Sequence, residues 1–281
     1  MKSVRETNFG PVAESWQFVG SVPENYERYL VPSIFGPWAE DLVEMSALRP
    51  GERVLDIACG TGIVARTGAR KLGGSASVVG VDLSAPMLAA ARAAAAAEGL
   101  AVEWREGSAV KLPLADAAFE VTFCQQGLQF FPDRKSALRE MYRVLIPGGR
   151  LVLSVWGPIE RSPGFAVLAE ALTRHIGAEA GALMTTGPLS LSDAEELRAI
   201  LTEATFRDIT IHPAVKMLRF PSPEAFVLQY AAGSALASAV APADGNARAA
   251  LMAEVVTRLQ SANDDQGLGF AIEANLVMAR R

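Results

Sequence analysis

Between residues 53 and 157, short apolar runs alternate with stretches of helical periodicity, and this alternation limits the fold more than any other feature of the 281-residue chain. The runs are "RVLDIA" at 53–58, "SVVGVDL" at 77–83, "AVEWREGSA" at 101–109, "FEVTFCQQ" at 119–126 and "RLVLSVWG" at 150–157. Helical patterns lie between them, from Ile63 to Lys71, in "SAPMLAAARAAAAAEG" behind a capping Ser84, and in "DRKSALREMYRVLIPGG". Strands alternating with helices predict an α/β fold with a doubly wound, mostly parallel sheet. Further along, helices are expected at 163–178 and in "SDAEELRAILTEATF", which opens on a capping signal. A long strand is expected in "RDITIHPAVKMLRF", two helices in "SPEAFVLQYAAGSALASAV" and "NARAALMAEVVTRLQSAN", and a closing strand in "FAIEANLVMARR". Three parts follow: an N-terminal helical cap at 1–46, divided by prolines 23, 32 and 37; a core at 47–220 and 267–281; and a helical insert at 221–266.

Half of the residues are hydrophobic and a fifth are charged, which suits a globular chain with a sizeable core. A net charge of −5 gives no electrostatic footprint for nucleic acid or anionic membrane. No run approaches the roughly 20 apolar residues of a membrane span, and "MKSVRETNFGPVAESW" has no signal-peptide pattern, so a cytoplasmic protein is expected. Cys59 and Cys124 lack metal-ligand or disulfide spacing, and His175 and His212 are isolated, so no metal is expected.

The first run ends in a glycine-rich turn, "VLDIACGTGIVA". Gly60, Gly62 and Ala65 satisfy the loose G-x-G-x-x-G/A pattern of nucleotide-binding turns, which is weak alone because such glycines also serve close strand–helix packing. Asp56 discriminates among ligands. A carboxylate beside a pyrophosphate is repelled by several kcal/mol in a low-dielectric cleft, on the order of the unit-charge interaction there. Beside an ammonium or a sulfonium the same charge attracts. Asp82, 26 positions later at the end of the second run, suits the two hydroxyls of a ribose.

With "VVGVDLSAPMLAAAR", "EGSAVKLPLADAAFEVTFCQQGLQFFPD" and "ALREMYRVLIPGGRLVLSVW", these motifs resemble, in order, those of class I S-adenosylmethionine-dependent methyltransferases. The resemblance covers about 50 to 156 and is greatest to the quinone-biosynthesis-like branch acting on small molecules. It implies a Rossmann-like sheet of seven strands and S-adenosyl-L-methionine as cofactor. It further implies that Asp56 and the amides about Gly60 and Gly62 hold the methionine moiety, with Ala58 and Cys59 lining it through backbone. Asp82 would take the ribose hydroxyls, and Leu83 and Met87 would sandwich the adenine. In "EGSA", Gly107 precedes Ser108, which stands where the family usually has an acid and would accept the adenine amino hydrogen more weakly; Ala109 would offer its amide. Gln125 and Gln126 would sit where donor and acceptor meet, and Phe18 and Tyr26 would close over the donor, unless they serve ordinary helix packing.

Methyl transfer is an in-line displacement that mainly requires alignment and exclusion of water, so no catalytic residue is assigned. The acceptor pocket is expected from the N-terminal helices, residues 157–200 and the insert, all rich in apolar side chains, which favours a hydrophobic or aromatic small molecule. The insert could instead form a homodimer contact. The competing readings are a nicotinamide-dependent oxidoreductase, opposed by Asp56, and a non-catalytic nucleotide-binding protein.

Overall fold

The computed structural model describes residues 21–74 and 77–281. Eight strands form one sheet: β1 (Val54–Ile57), β2 (Val78–Asp82), β3 (Glu103–Glu106), β4 (Phe119–Gln125), β5 (Leu145–Trp156), β6 (Arg207–Phe220), β7 (Asn263–Asp264) and β8 (Gly267–Arg280). Their order is β3-β2-β1-β4-β5-β8-β6, with the two-residue β7 pairing β8 off this path. The first five strands pair in parallel, whereas β8 runs antiparallel to both β5 and β6. The expected seven strands are thus present, and β7 is an addition where the insert rejoins the sheet.

The helices are α1 (Val22–Asn25), a π-helical segment (Tyr26–Phe35), α2 (Gly36–Met45), α3 (Ile63–Leu72), α4 (Ala85–Ala97), α5 (Arg134–Val144), α6 (Pro163–His175), α7 (Ala178–Thr185), α8 (Ala194–Glu203), α9 (Pro223–Ala232), α10 (Leu236–Val240) and α11 (Gly245–Leu259). The central strands are buried on both faces, and alternate residues divide between two cores. Val54 and Val121 face α2 and α3, whereas Leu55, Ile57 and Val81 face the side covered by α5 and α8. Period-2 alternation puts Asp56 with Val54, on the α3 side.

Several boundaries differ from the sequence expectations. Prolines 32 and 37 do not divide the N-terminal cap into pieces: helical backbone runs without a break from Val22 to Met45. Around Pro32 the turn widens to the π form, which relieves the clash of a proline ring with the carbonyl four residues back. The helix expected through "LIPGG" stops at Val144, because Pro147 disfavours helical backbone at Ile146, and β5 begins instead at Leu145. The single helix expected over 222–240 is two, α9 and α10, separated at Gly233–Ser234. A helix that had not been expected, α7, follows Gly177.

The strand order reverses between β1 and β4, which opens a crevice at their carboxyl ends. Two layers roof it: the π-helical segment on one side, and α7 with the α9–α10 junction on the other. The insert is held by an aromatic cluster in which Phe226 lies 5.0 Å from both Phe220 and Phe270 and 5.6 Å from Phe165, centroid to centroid.

Candidate active site

The glycine turn is built around backbone that ordinary residues avoid. Gly60 (φ 55°) and Gly62 (φ 82°) are left-handed, and Gly62 precedes the first turn of α3. A Cβ on Gly62 would collide with the indole of Trp104, which lies across the turn from β3. Ala58 (φ 55°) and Gln126 (φ 53°), at the ends of β1 and β4, are also left-handed without being glycine. Such conformations cost about 1–3 kcal/mol each and persist where the surroundings over-determine them, often at functional sites.

Asp56 is buried, and its Oδ2 accepts the Ala65 amide of α3 at 3.0 Å. Burial pushes its carboxyl up to about 8, against the lowering effect of the Ala65 bond and with a further rise from Asp82. Among the described residues, no cation is one of the groups acting on it. Asp82 closes β2: one oxygen accepts the Gly60 amide at 2.8 Å and the other the Ser84 amide at 2.8 Å. Ser84 in turn caps α4 by accepting from Met87. Asp82 therefore links the glycine turn to the start of the next helix, in addition to any ligand role. Leu83, beside it, is 71% exposed.

Cys59 is held by backbone: its amide donates to Val81 (3.1 Å) and its carbonyl accepts from Gly62 (2.8 Å). Burial pushes its thiol well above the ordinary range, which fits a small turn residue and not a nucleophile. The Gly107 amide donates to the Asp82 carbonyl (3.0 Å), and Ser108 turns back onto Lys111, its Oγ accepting from Val110 (3.4 Å). Ala109 packs against the α5-side core.

A cavity of about 540 Å³ begins at this turn. Five of the residues singled out in the sequence line it: Tyr26, Ala58, Met87, Gln125 and Gln126. Phe18 lies outside the described residues. Asp56, Cys59, Gly60, Gly62, Asp82, Leu83, Gly107, Ser108 and Ala109 cluster on the carboxyl ends of β1 to β3 and their loops, away from the cavity lining. Gln125 donates through Nε2 to the Phe35 carbonyl (2.8 Å), fastening the end of the π-helical segment to β4. Gln126 donates to Ser154 Oγ (3.2 Å) and accepts from Gln129 (2.9 Å). Tyr26 stacks on Phe35 with centroids 4.8 Å apart. Its phenol is pushed well up, first by burial and then by Glu27, Asp82, Tyr230 and Asp56. One side chain thus stands among the donor turn, the cap and the insert. Arg66 of α3, itself buried, pairs with Glu27 at 2.6 Å and with Glu98, which ties that cap to the donor helices.

Sequence reasoning did not find Phe35, Phe130, Trp156, Met184 or Tyr230, which supply much of the cavity wall. They are ordinary apolar residues in distant segments, and only the fold brings them together. Among the described residues no charged side chain lines this space. His175 instead meets Glu254 of α11 at 2.7 Å, and His212 lies on β6; neither reaches the cavity.

A methyltransferase-domain family matches residues 55–153, the stretch that carries the turn and β1 to β5. Demethylmenaquinone methyltransferase of Thermus thermophilus is 42% identical over 121 residues, covering 43% of this chain and 54% of that protein. The ubiquinone/menaquinone biosynthesis C-methyltransferase UbiE of Ectopseudomonas mendocina is 32% identical over 216 residues, 72% of this chain and 83% of that protein. The chain belongs to the class I S-adenosylmethionine-dependent methyltransferases of the quinone-biosynthesis-like type. Among solved structures, phosphoethanolamine N-methyltransferase 2 of Haemonchus contortus, in complex with phosphomonomethylethanolamine and S-adenosylhomocysteine, shares the fold. It has a TM-score of 0.56 at 22% identity, covering 94% of this chain and 60% of that one. Membership makes the chain an enzyme that uses S-adenosylmethionine, and the oxidoreductase and non-catalytic readings are set aside. Among the described residues, no helix is long and apolar enough to cross a membrane.

Proposed function

We propose that this methyltransferase acts on an uncharged aromatic small molecule of the quinol type, seated in the 540 Å³ cavity. The observation carrying this reading is the lining itself: apolar and aromatic walls with only neutral polar groups. A space of that size is in the ordinary range for a small ligand. A phosphorylated or otherwise anionic acceptor would find no cation there, and nucleic acid no basic track. The quinone-type names of the relatives point to the same class.

On the donor side, the residues fit S-adenosylmethionine. Asp56 is a buried carboxyl without a cation, which a donor's ammonium would complete and keep ionised. Asp82 offers oxygens toward a ribose, and exposed Leu83 with Met87 forms an apolar face for an adenine. Gly107, Ser108 and Ala109, in the loop after β3, would meet the adenine edge, Ser108 through its neutral hydroxyl. When bound, the donor supplies a methyl carbon already activated by a sulfonium. Gln125 and Tyr26 order the space beyond, and the apolar walls exclude water, which favours displacement of a charge that disappears in the reaction. The phenols of Tyr26 and Tyr230 are pushed too high to serve as bases, so alignment carries the rate. The acceptor would give an electron pair to the methyl carbon, leaving S-adenosylhomocysteine, and would lose its own proton to solvent.

In this reading the described part of the N-terminal segment, 21–46, is a cap over the core, and the insert at 221–266 is chiefly its acceptor-side wall, contributing Tyr230 and the Gly233–Leu236 turn. A homodimer contact would use its outer face. A cytoplasmic setting suits the two buried free thiols, Cys59 and Cys124. The deciding experiment measures transfer of labelled methyl from S-adenosylmethionine to hydroquinones, phenols, amines and phosphoethanolamine. Labelling of the hydroquinones is expected; exclusive labelling of amines or phosphoethanolamine would overturn the acceptor class.

A further inference from the structure

Behind the main cavity lies a smaller chamber of about 30 Å³. Phe35, Trp156, Met184, Pro188 and Tyr230 wall both spaces, so the chamber adjoins the acceptor site. A space of that size takes at least one water-sized group, such as a ring oxygen substituent. Ile34, Phe165 and Ile272 make the rest of it apolar, with one exception, Ser162.

Ser162 is 1% exposed and its Oγ has no hydrogen-bond partner among the described residues. The residue stands at the N-cap of α6, where its carbonyl accepts from Phe165 and Ala166 at 3.0 Å each. A serine there ordinarily turns its hydroxyl back to accept an amide of the first helical turn. This one makes no such bond, and its residue forms part of the chamber wall. A buried hydroxyl without a partner is rare in folded proteins, and such a group calls for an explanation.

We propose that Ser162 is a specificity-determining residue: its hydroxyl hydrogen-bonds a second oxygen of the acceptor, on the ring edge away from the methyl donor. This rests on the acceptor reading of the cavity and narrows it. The preferred substrates are rings with two oxygens on opposite edges, such as 1,4-diols, with one oxygen seated in the chamber and the opposite edge toward Gln125 and Ala58. A monophenol fits the same walls but leaves Ser162 unpaired.

The test is calorimetric titration, without oxygen, of protein saturated with S-adenosylhomocysteine, using 1,4-dihydroxynaphthalene and 1-naphthol. Ser162→Ala is expected to weaken the diol about tenfold, equivalent to about 1.4 kcal/mol, and to leave 1-naphthol within about twofold. Because Oγ caps nothing and is buried without a partner in the ligand-free chain, the thermal midpoint should hold or rise. Ser162→Cys, of similar size and a weaker donor, should fall between the two for the diol only. An equal loss for both ligands, or none for either, overturns the role given to Ser162. Leu183→Trp, which adds bulk to the wall of the main cavity, separates that failure from a wrong cavity. It should weaken both ligands; if both bind it as they bind the unaltered chain, or if the unaltered chain binds neither, the acceptor reading falls and the Ser162 role with it.

Discussion

The donor turn and the acceptor cavity touch at Ala58 and Met87, yet they are constructed by opposite means. The turn draws on two short stretches, 54–65 and 78–87, and is held by backbone: left-handed residues, amides on Asp56 and Asp82, and one capped helix start. It carries two carboxyl groups, Asp56 and Asp82, and tolerates little change. The cavity is assembled from five distant stretches, between Val22 and Leu236, and is held by side-chain packing without a lining charge. A donor common to a family is thus met by a local, rigid device, whereas the acceptor is met by a surface whose parts can vary independently. Substitutions should separate the two: those at the turn should alter donor affinity for every acceptor, and those at the cavity should alter acceptor use without altering donor affinity.

The largest expected effect comes from the support of the cavity. Phe226 is fully buried at the centre of the aromatic cluster, and Phe226→Ala should destabilise the chain by about 4 kcal/mol. Denaturant unfolding measures this, and in the folded fraction the acceptor KM should rise while the donor Kd stays. Loss of donor affinity at the same time would mean that the two regions are not separable. Gly62→Ala tests the other side. A left-handed alanine that also displaces Trp104 should cost about 3 kcal/mol. Trp104→Ala in the same chain should restore the steric part only.

The same contrast explains what could be read from the sequence. The glycine turn and Asp82 are local in the chain, so their spacing alone placed them on neighbouring strand ends. The long strand from Arg207 to Phe220 was legible because turn signals bound it and its start alternates. The wall of the cavity was not. Trp156 reads as the end of an ordinary buried strand, and Tyr230 as one more apolar position on a helix. Helix α7, "AEAGALMT", has no marked apolar face and contains Gly181, which sits against Thr173 of α6. Its position therefore depends on a tertiary contact that local propensity does not carry. Trp104 is a similar case: an aromatic in a short edge strand reads as β propensity, and its place over Gly62 appears only once β3 is docked.

Asp82→Ala should weaken donor binding by more than tenfold, upward of about 1.4 kcal/mol. The two amides its carboxylate accepts would be left without their partner, so a loss of about 1–2 kcal/mol in stability should accompany it. Asp82→Asn sharpens the result, since an amide oxygen can still accept from one of those amides. If Asn restores stability but not affinity, the carboxylate serves the ligand directly. If it restores both, Asp82 acts on the donor only by holding the turn.

The smallest effect concerns pH and isolates Asp56. Its carboxyl in the folded, donor-free chain lies at about 8, far above the usual carboxylate range, because it is buried. A group raised on folding contributes stability that is fully present below its unfolded value and is lost as pH rises through the folded one. Between pH 7 and 8 the loss from this group should be about 1 kcal/mol, and Asp56→Asn should remove it. Donor binding should run in the opposite direction. An ammonium beside Asp56 favours the ionised carboxylate, so near pH 7 binding releases a proton. Because the donor's own α-ammonium loses its proton at about pH 8, affinity should rise about twofold from pH 7 to 8 and fall beyond. The Asn variant should bind the donor more weakly and with no such rise. A wild-type affinity that does not rise across this interval, in a chain whose stability does fall, would mean that Asp56 is ionised by no ligand and serves only to hold the Ala65 amide, leaving Asp82 as the carboxylate that meets the donor.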